Sequence, residues 1–74
     1  MQRTLTERVA LALRIEMVRQ SIGVRELAER LGHSDTWLHR RLNGTVPFDV
    51  PDLERLAQEL RVPVSSFFVE ERAA

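Results

Sequence analysis

The chain has 74 residues, of which 43% are hydrophobic and 30% are charged, and its 11 basic residues balance its 11 acidic residues. This length allows one domain with a single core, and the absence of cysteine excludes disulfides and thiolate metal sites. No apolar run is long enough for a signal peptide or a membrane span, so we expect a cytoplasmic chain with no membrane partner.

The first predicted helix covers residues 1–20. Thr4 and Glu7 have the spacing of a capping box at its start. A helix that is apolar on two sides is either deeply buried or has a partner outside its own domain. This helix has two apolar stripes. In one interpretation the first stripe lies in the core and the second is partly covered by the rest of the domain. In the other, Leu11 and Ile15 of the second stripe form a homodimer contact. The first stripe is Val9, Leu13 and Met17, and the second is Leu11, Ile15, Val18 and Ile22.

Residues 24–31 and 34–43 are predicted to form two short amphipathic helices. Gly32 lies between them and is the residue best able to take a left-handed, helix-ending conformation. Either Ser34 or Asp35 can cap the second helix through its side-chain oxygen. A helix, a short turn with a glycine and another helix predict a helix-turn-helix. The apolar residues assigned to its core are Leu27, Ala28, Leu31, Leu38 and Leu42.

The second of these helices leaves a polar, basic surface on its outer side. At about 100° per residue, Thr36, Arg40 and Asn43 point away from the buried leucines, and Trp37 and His39 flank them. Hydrogen-bond donors, an acceptor, positive charge and a flat ring suit base edges and phosphates in a major groove. The alternative is an ordinary solvated helix face, which a surface tryptophan disfavours.

Two more helices are predicted toward the C-terminus. The first covers residues 50–60 and has Pro51 in its first turn, where the missing N–H is tolerated. The second covers residues 65–71, where either Phe67 or Phe68 is expected to close the core. The other phenylalanine would then be partly exposed and available to a homodimer. The fold class predicted for residues 1–74 is a compact all-α domain of five helices.

Although the total charge is zero, basic residues are concentrated in the first part of the chain. Residues 1–45 hold eight arginines and five acidic residues, a formal charge of +3. Residues 46–74 hold three arginines and six acidic residues, a formal charge of −3. Local charge, rather than total charge, governs contact with a polyanion. The N-terminal part is therefore the better suited to approach nucleic acid.

The helix-turn-helix segment resembles a known family. The run Leu27-Ala28-x-x-Leu31-Gly32-x-Ser34, followed by Leu38-x-x-x-Leu42-Asn43-Gly44, is similar to the phage repressor and Cro (XRE, lambda-repressor-like) type of helix-turn-helix domain. The later run Leu53-x-x-Leu56-Ala57-x-x-Leu60 resembles the fourth helix of that family. The chain departs from the family pattern at Val24, where Gln is usual, and at Leu42, where Glu is usual.

The resemblance implies that residues 34–43 form the recognition helix of a domain that binds double-stranded DNA. It places Asp35, Thr36 and Arg40 at base-reading positions and Ser34 and Asn43 at phosphate-binding positions. Capping is also open to Asp35, because DNA repels a carboxylate that does not accept from a cytosine amine. With the outer-face residues added, the predicted base readers are Asp35, Thr36, Trp37, His39 and Arg40. The predicted phosphate contacts are Arg25, His33, Ser34, Arg41, Asn43 and Thr45.

Two roles are open to Arg25. It stands in the first turn of the second predicted helix, where a phosphate would meet both its guanidinium and free backbone N–H groups. Alternatively, it pairs on the surface with Glu29, four residues further along the helix.

Catalysis and cofactor binding are not expected. Asp35 and His39 lie four residues apart on an exposed helix face, without a cleft or a nucleophile. The two histidines do not make a zinc site, and no small-molecule ligand is expected.

The sequence therefore predicts a DNA-binding transcriptional regulator, expected to be a phage-type repressor and, by one interpretation, a homodimer. The alternative is a protein-interaction module of the same fold, such as an antitoxin or antirepressor subunit. The two apolar stripes of the first helix and the neutral total charge favour this alternative.

Overall fold

The computed structural model describes residues 3–68 and places four α-helices and one 3₁₀ turn in them. The second and fourth helices have the predicted bounds, and the third is flanked by Ser34 and Asn43 as its caps. The elements are α1 (Leu5–Gln20), α2 (Val24–Leu31), α3 (Asp35–Leu42), α4 (Val50–Leu60) and the 3₁₀ turn (Val64–Phe67).

Helix α1 begins later than the sequence predicts, at Leu5. The Thr4 side chain accepts from the Glu7 backbone N–H at 3.1 Å, and the Glu7 carboxylate accepts from the Thr4 N–H at 2.8 Å. Thr4 is extended, as an N-cap residue must be. The capping box is therefore confirmed. The predicted helical start is wrong in the described part, because residues 3 and 4 precede the helix. Residues 1 and 2 lie outside the described part.

One face of α1 packs on the other helices and forms the core with them. Val9, Leu13 and Met17 are buried, as their stripe predicts, whereas Leu11 and Ile15 are exposed. The core is closed by leucines of α2, α3 and α4 and by Phe67 of the 3₁₀ turn. Its most deeply buried side chains are Leu13, Leu27, Leu38, Leu56, Leu60 and Phe67.

Three helices receive a side-chain hydrogen bond at the C-terminus from a neighbouring helix. The last carbonyls of a helix have no partner within it and carry partial negative charge, so guanidinium and amide donors stabilise them. Helix α1 donates such a hydrogen bond to α3 and another to α4, and α4 donates one to α2. The pairs are Arg14 Nε to Leu42 O at 3.2 Å, Gln20 Nε2 to Leu60 O at 2.7 Å and Arg55 Nη2 to Arg30 O at 2.7 Å.

The helix predicted over residues 65–71 is a 3₁₀ turn, not an α-helix, in its described part. The backbone bonds run from Ser66 N to Pro63 O and from Phe68 N to Ser65 O, which is the i→i+3 pattern. Serine and the β-branched Val64 have modest helix propensity, which explains why a single tight turn forms here. Residues 69–71 lie outside the described part.

The two C-terminal phenylalanines have different roles. Phe67 has no exposed surface, whereas Phe68 is 42% exposed. The prediction that one closes the core and the other is partly exposed is confirmed. Of these two candidates for a homodimer contact, Phe67 is excluded, because a side chain without accessible surface cannot meet a second molecule.

Candidate nucleic-acid interface

The turn between α2 and α3 forms as the sequence predicts. Gly32 is left-handed, with φ of 75°, and its N–H donates to Glu29 O. The next N–H, from His33, donates to Ala28 O, so these two carbonyls in the last turn of α2 are satisfied. Ser34 then caps α3 by accepting from the Trp37 N–H at 3.1 Å. Of the two capping candidates, Ser34 is therefore the cap, and Asp35 is the first helical residue.

Helix α3 is held by its inner leucines and leaves its outer side bare. Leu38 is fully buried and Leu42 is 3% exposed, whereas Thr36 and Arg40 are exposed. An α-helix with its side chains is about 10–12 Å in diameter, so α3, with its outer side bare, can enter a DNA major groove, which is about 12 Å wide. The exposed residues of α3 and its caps are Ser34, Asp35, Thr36, His39, Arg40 and Asn43.

Arg40 supplies unneutralised positive charge on this side. Its side chain has no ion-pair or hydrogen-bond partner among residues 3–68. By contrast, the acidic residues Glu26 and Glu29 of α2 each lie next to an arginine of the same helix. Thr36 precedes Arg40 by four residues and therefore lies beside it on the helix surface.

The Trp37 ring is half-buried and is covered on both faces. The His33 ring stacks on it with centroids 3.7 Å apart and planes 4° apart, and the Arg41 guanidinium lies 4.0 Å from its centroid. Two groups at these distances would overlap on one face, so they lie on opposite faces. The edge of Phe48 completes the enclosure, with centroids 6.0 Å apart. The predicted base reader Trp37 thus joins the turn, α3 and the following loop.

The predicted phosphate contacts lie at both ends of α3 and at the start of α2. His33 and Ser34 at one end, and Asn43 and Thr45 at the other, are exposed. Arg25 Nε lies 3.7 Å from Glu29 Oε1 with both side chains largely in solvent, as its alternative interpretation predicts. An exposed pair of this kind is weak and leaves the arginine available to another anion. The sixth candidate, Arg41, is half-buried against Trp37.

Arg14 of α1 reaches the C-terminal end of α3, which the sequence analysis missed. Besides its bond to the Leu42 carbonyl, its Nη2 donates to Asn43 Oδ1 at 3.1 Å. The partners are 28 and 29 residues away in the chain. No local spacing signals such a contact.

Among residues 3–68, no three His, Cys, Asp or Glu side chains come together in a way that could hold a metal ion. None of the helices there is long and apolar enough to cross a membrane.

Comparisons with known proteins agree with this geometry. A family profile described as "Helix-turn-helix domain" matches residues 8–66. No curated protein is significantly similar in sequence. A crystal structure of a hypothetical transcription factor, NHTF, from Neisseria superposes with a TM-score of 0.82 at 20% identity, covering 89% of this chain and 76% of that chain. At this identity the likeness shows a shared fold.

Proposed function

The chain belongs to the helix-turn-helix domain family, and on that premise we propose that it binds double-stranded DNA sequence-specifically and regulates transcription. The observation that carries the proposal is the outer side of α3, which is exposed and bears an unpaired Arg40; a major groove is wide enough to admit such a helix. The Neisseria protein, whose title calls it a hypothetical transcription factor, supports the same class of function.

In this proposal the outer side of α3 reads bases. Arg40 offers two parallel donors to a guanine, and Thr36 and His39 beside it offer shorter polar groups to neighbouring base edges. Asp35 lies in the first turn of α3, where its negative charge stabilises the helix N-terminus. Trp37 holds the reading helix in place, because its two ring faces are already covered.

Phosphate contacts would flank the reading residues and set the register of the protein on DNA. The exposed side chains at the two ends of α3 are about one helix length apart, so they can reach the backbone on both sides of a groove. The proposed contacts are Arg25, His33, Ser34, Arg41, Asn43 and Thr45. The resemblance to phage repressors further supports a repressor rather than an activator.

The first test of this function is the salt dependence of duplex binding. A labelled random duplex is titrated with the protein at two salt concentrations. We expect binding at low salt that weakens steeply as the salt concentration rises, because binding releases the counterions of the phosphates that the protein neutralises. No binding at low salt would contradict it.

Selection of preferred sites from a random duplex pool tests sequence specificity. We expect enrichment of a defined motif, and a palindromic motif would show that two copies bind together, since site symmetry mirrors protein symmetry. A pool that stays random after repeated selection, despite measurable binding, would reduce the function to non-specific DNA binding.

Protein–protein interaction is the second candidate function, and a specific surface favours it. Leu11 is 38%, Ile15 is 53% and Val18 is 79% exposed, in a row on the side of α1 away from the core. Apolar patches of this kind commonly mark contacts with another protein or with a second copy of the chain. Sedimentation of the protein and of an Ile15→Glu variant tests the second of these, a homodimer through α1. If both sediment as monomers, a homodimer through α1 is excluded.

A further inference from the structure

We propose that Arg14 is a positioning residue for DNA binding, which orients the Asn43 side chain so that its amide N–H groups face a phosphate. The inference rests on the proposed function and extends it to a residue of α1, outside the helix-turn-helix.

The contact fixes which way the Asn43 amide points. A guanidinium can only donate, so the group that it meets on Asn43 must be the carbonyl oxygen Oδ1. The amide nitrogen is thereby turned away from Arg14, and it has no partner among residues 3–68. Asn43 is exposed, so its two N–H donors are available to an external acceptor. A phosphate oxygen is an acceptor only, which matches this orientation.

Arginine is required for the contact because it uses one edge of a planar group. Nε donates to Leu42 O at 3.2 Å, and Nη2 donates to Asn43 Oδ1 at 3.1 Å. One arginine therefore holds both the last helical carbonyl of α3 and the side chain of its C-cap residue. Lysine would keep the positive charge but lacks the fixed two-donor fork.

A close approach of the two backbones supports the same arrangement. Gly44, which follows Asn43, has φ of 76°, and a Cβ placed on it would lie 3.4 Å from the Glu7 side chain. Helix α1 therefore meets the end of α3 at Glu7 and at Arg14, two turns apart. The end of α3 thus lies against α1, and the bond from Arg14 restricts the rotamer of the exposed Asn43 side chain before DNA arrives. Such preorganisation reduces the entropy lost on binding.

The test is a double-mutant cycle in DNA affinity, measured by fluorescence anisotropy at a temperature where circular dichroism shows every variant folded. Arg14→Lys and Asn43→Ala should each weaken binding about 2- to 10-fold, the range for one hydrogen bond. The double variant should bind no more weakly than Asn43→Ala alone, because Arg14 acts through Asn43. Arg19→Lys is the matched control, since Arg19 lies on the same helix and contacts Glu16; it should bind like the unsubstituted chain.

Two results in this cycle would overturn the proposal. Unchanged binding by Arg14→Lys would show that the two-donor fork of Arg14 contributes nothing to DNA affinity. Losses that multiply in the double variant would show that Arg14 contacts DNA or stabilises the fold independently of Asn43.

A DNA-free measurement separates failure of this inference from failure of the proposed function. The heteronuclear NOE of the Asn43 side-chain amide should exceed that of the exposed Gln58 amide, and Arg14→Lys should lower it to the Gln58 value. Equal values in the unsubstituted chain would overturn the positioning role, whether or not DNA binds. If the Asn43 amide is ordered but the chain binds no duplex, the Arg14–Asn43 contact exists as described. The proposed function would then be wrong, and with it the role of this contact in DNA binding.

Discussion

Helices α3 and α4 begin in the same way and bury leucines in the same way, but they present opposite charge to solvent. Each has a side-chain N-cap, Ser34 in α3 and Asp49 in α4, and each has a fully buried leucine at its centre. The last turn of α3 holds His39, Arg40 and Arg41, whereas the last turn of α4 holds no basic residue. The acidic side chains of α4 are Asp52, Glu54 and Glu59.

This difference separates two requirements of a reading helix. Burial of one stripe fixes where a helix lies, and both helices meet that requirement alike. Burial leaves the outer residues free to vary, and those of α3 suit a polyanion better, because the exposed Arg55 of α4 is paired with Glu59 of the same helix. Variants made in pairs, one in each helix, can test each requirement in turn.

The largest expected effect is a loss of stability, because both helices depend on a buried leucine stripe. Leu38→Ala and Leu56→Ala each remove a side chain with 0% exposure. Each should lower the free energy of unfolding by about 2–5 kcal/mol, from lost burial and the cavity left behind. Urea denaturation followed by circular dichroism measures both, and Leu11→Ala on the exposed stripe is the control with a much smaller loss. A small loss for Leu38→Ala alone would mean that burial does not anchor α3.

The second largest effect is a loss of DNA affinity, which we expect for a variant in α3 and not for its counterpart in α4. Arg40→Ala should weaken binding to a selected duplex by about 1–3 kcal/mol, the range for a side chain that contacts a base. Arg61→Asn removes the same charge at the C-cap of α4, and asparagine tolerates the left-handed backbone found there. It should change affinity little. If Arg40→Ala weakens selected and scrambled duplexes equally, Arg40 contacts phosphate and does not read a base.

The smallest effect concerns the N-caps, where the two helices differ in degree. Ser34→Ala and Asp49→Ala should each lower the free energy of unfolding by about 0.5–2 kcal/mol. Asp49→Ala should cost more, because it also removes negative charge beside a helix N-terminus. Thermal unfolding measures both losses, with Ser34→Thr and Asp49→Asn as variants that keep a capping oxygen. Equal losses for the capping-competent and alanine variants would show that the cap bonds contribute nothing.

Features that depend on neighbouring residues could be predicted from the sequence. The capping box of Thr4 and Glu7, the helix end at Gly32 and the bounds of α2 and α4 follow from residues within one or two turns of each other. The exposure of the outer side of α3 also follows, because helical periodicity places Thr36 and Arg40 opposite the buried leucines.

Features that depend on distant residues could not be predicted. Arg14 meets Asn43 across 29 positions, and nothing near either residue signals the contact. The choice of Phe67 over Phe68 for the core depends on how the last turn docks on α1 and α4. The spacing of His33 and Arg41, each four positions from Trp37, does indicate that they can cover its ring. A flat ring on a polar helix also suits base contact, so the sequence alone does not decide between the two roles. The roles of all these residues toward DNA stay predictions.

The most direct test of the account is to map where DNA touches the protein. Uniformly ¹⁵N-labelled protein is titrated with duplex, and the shift of each backbone amide is followed by NMR. If the outer side of α3 binds DNA, the largest changes fall within residues 34–45, with small changes along the outer side of α4. The largest changes on α4, or on the exposed stripe of α1, with α3 unaffected, would contradict it.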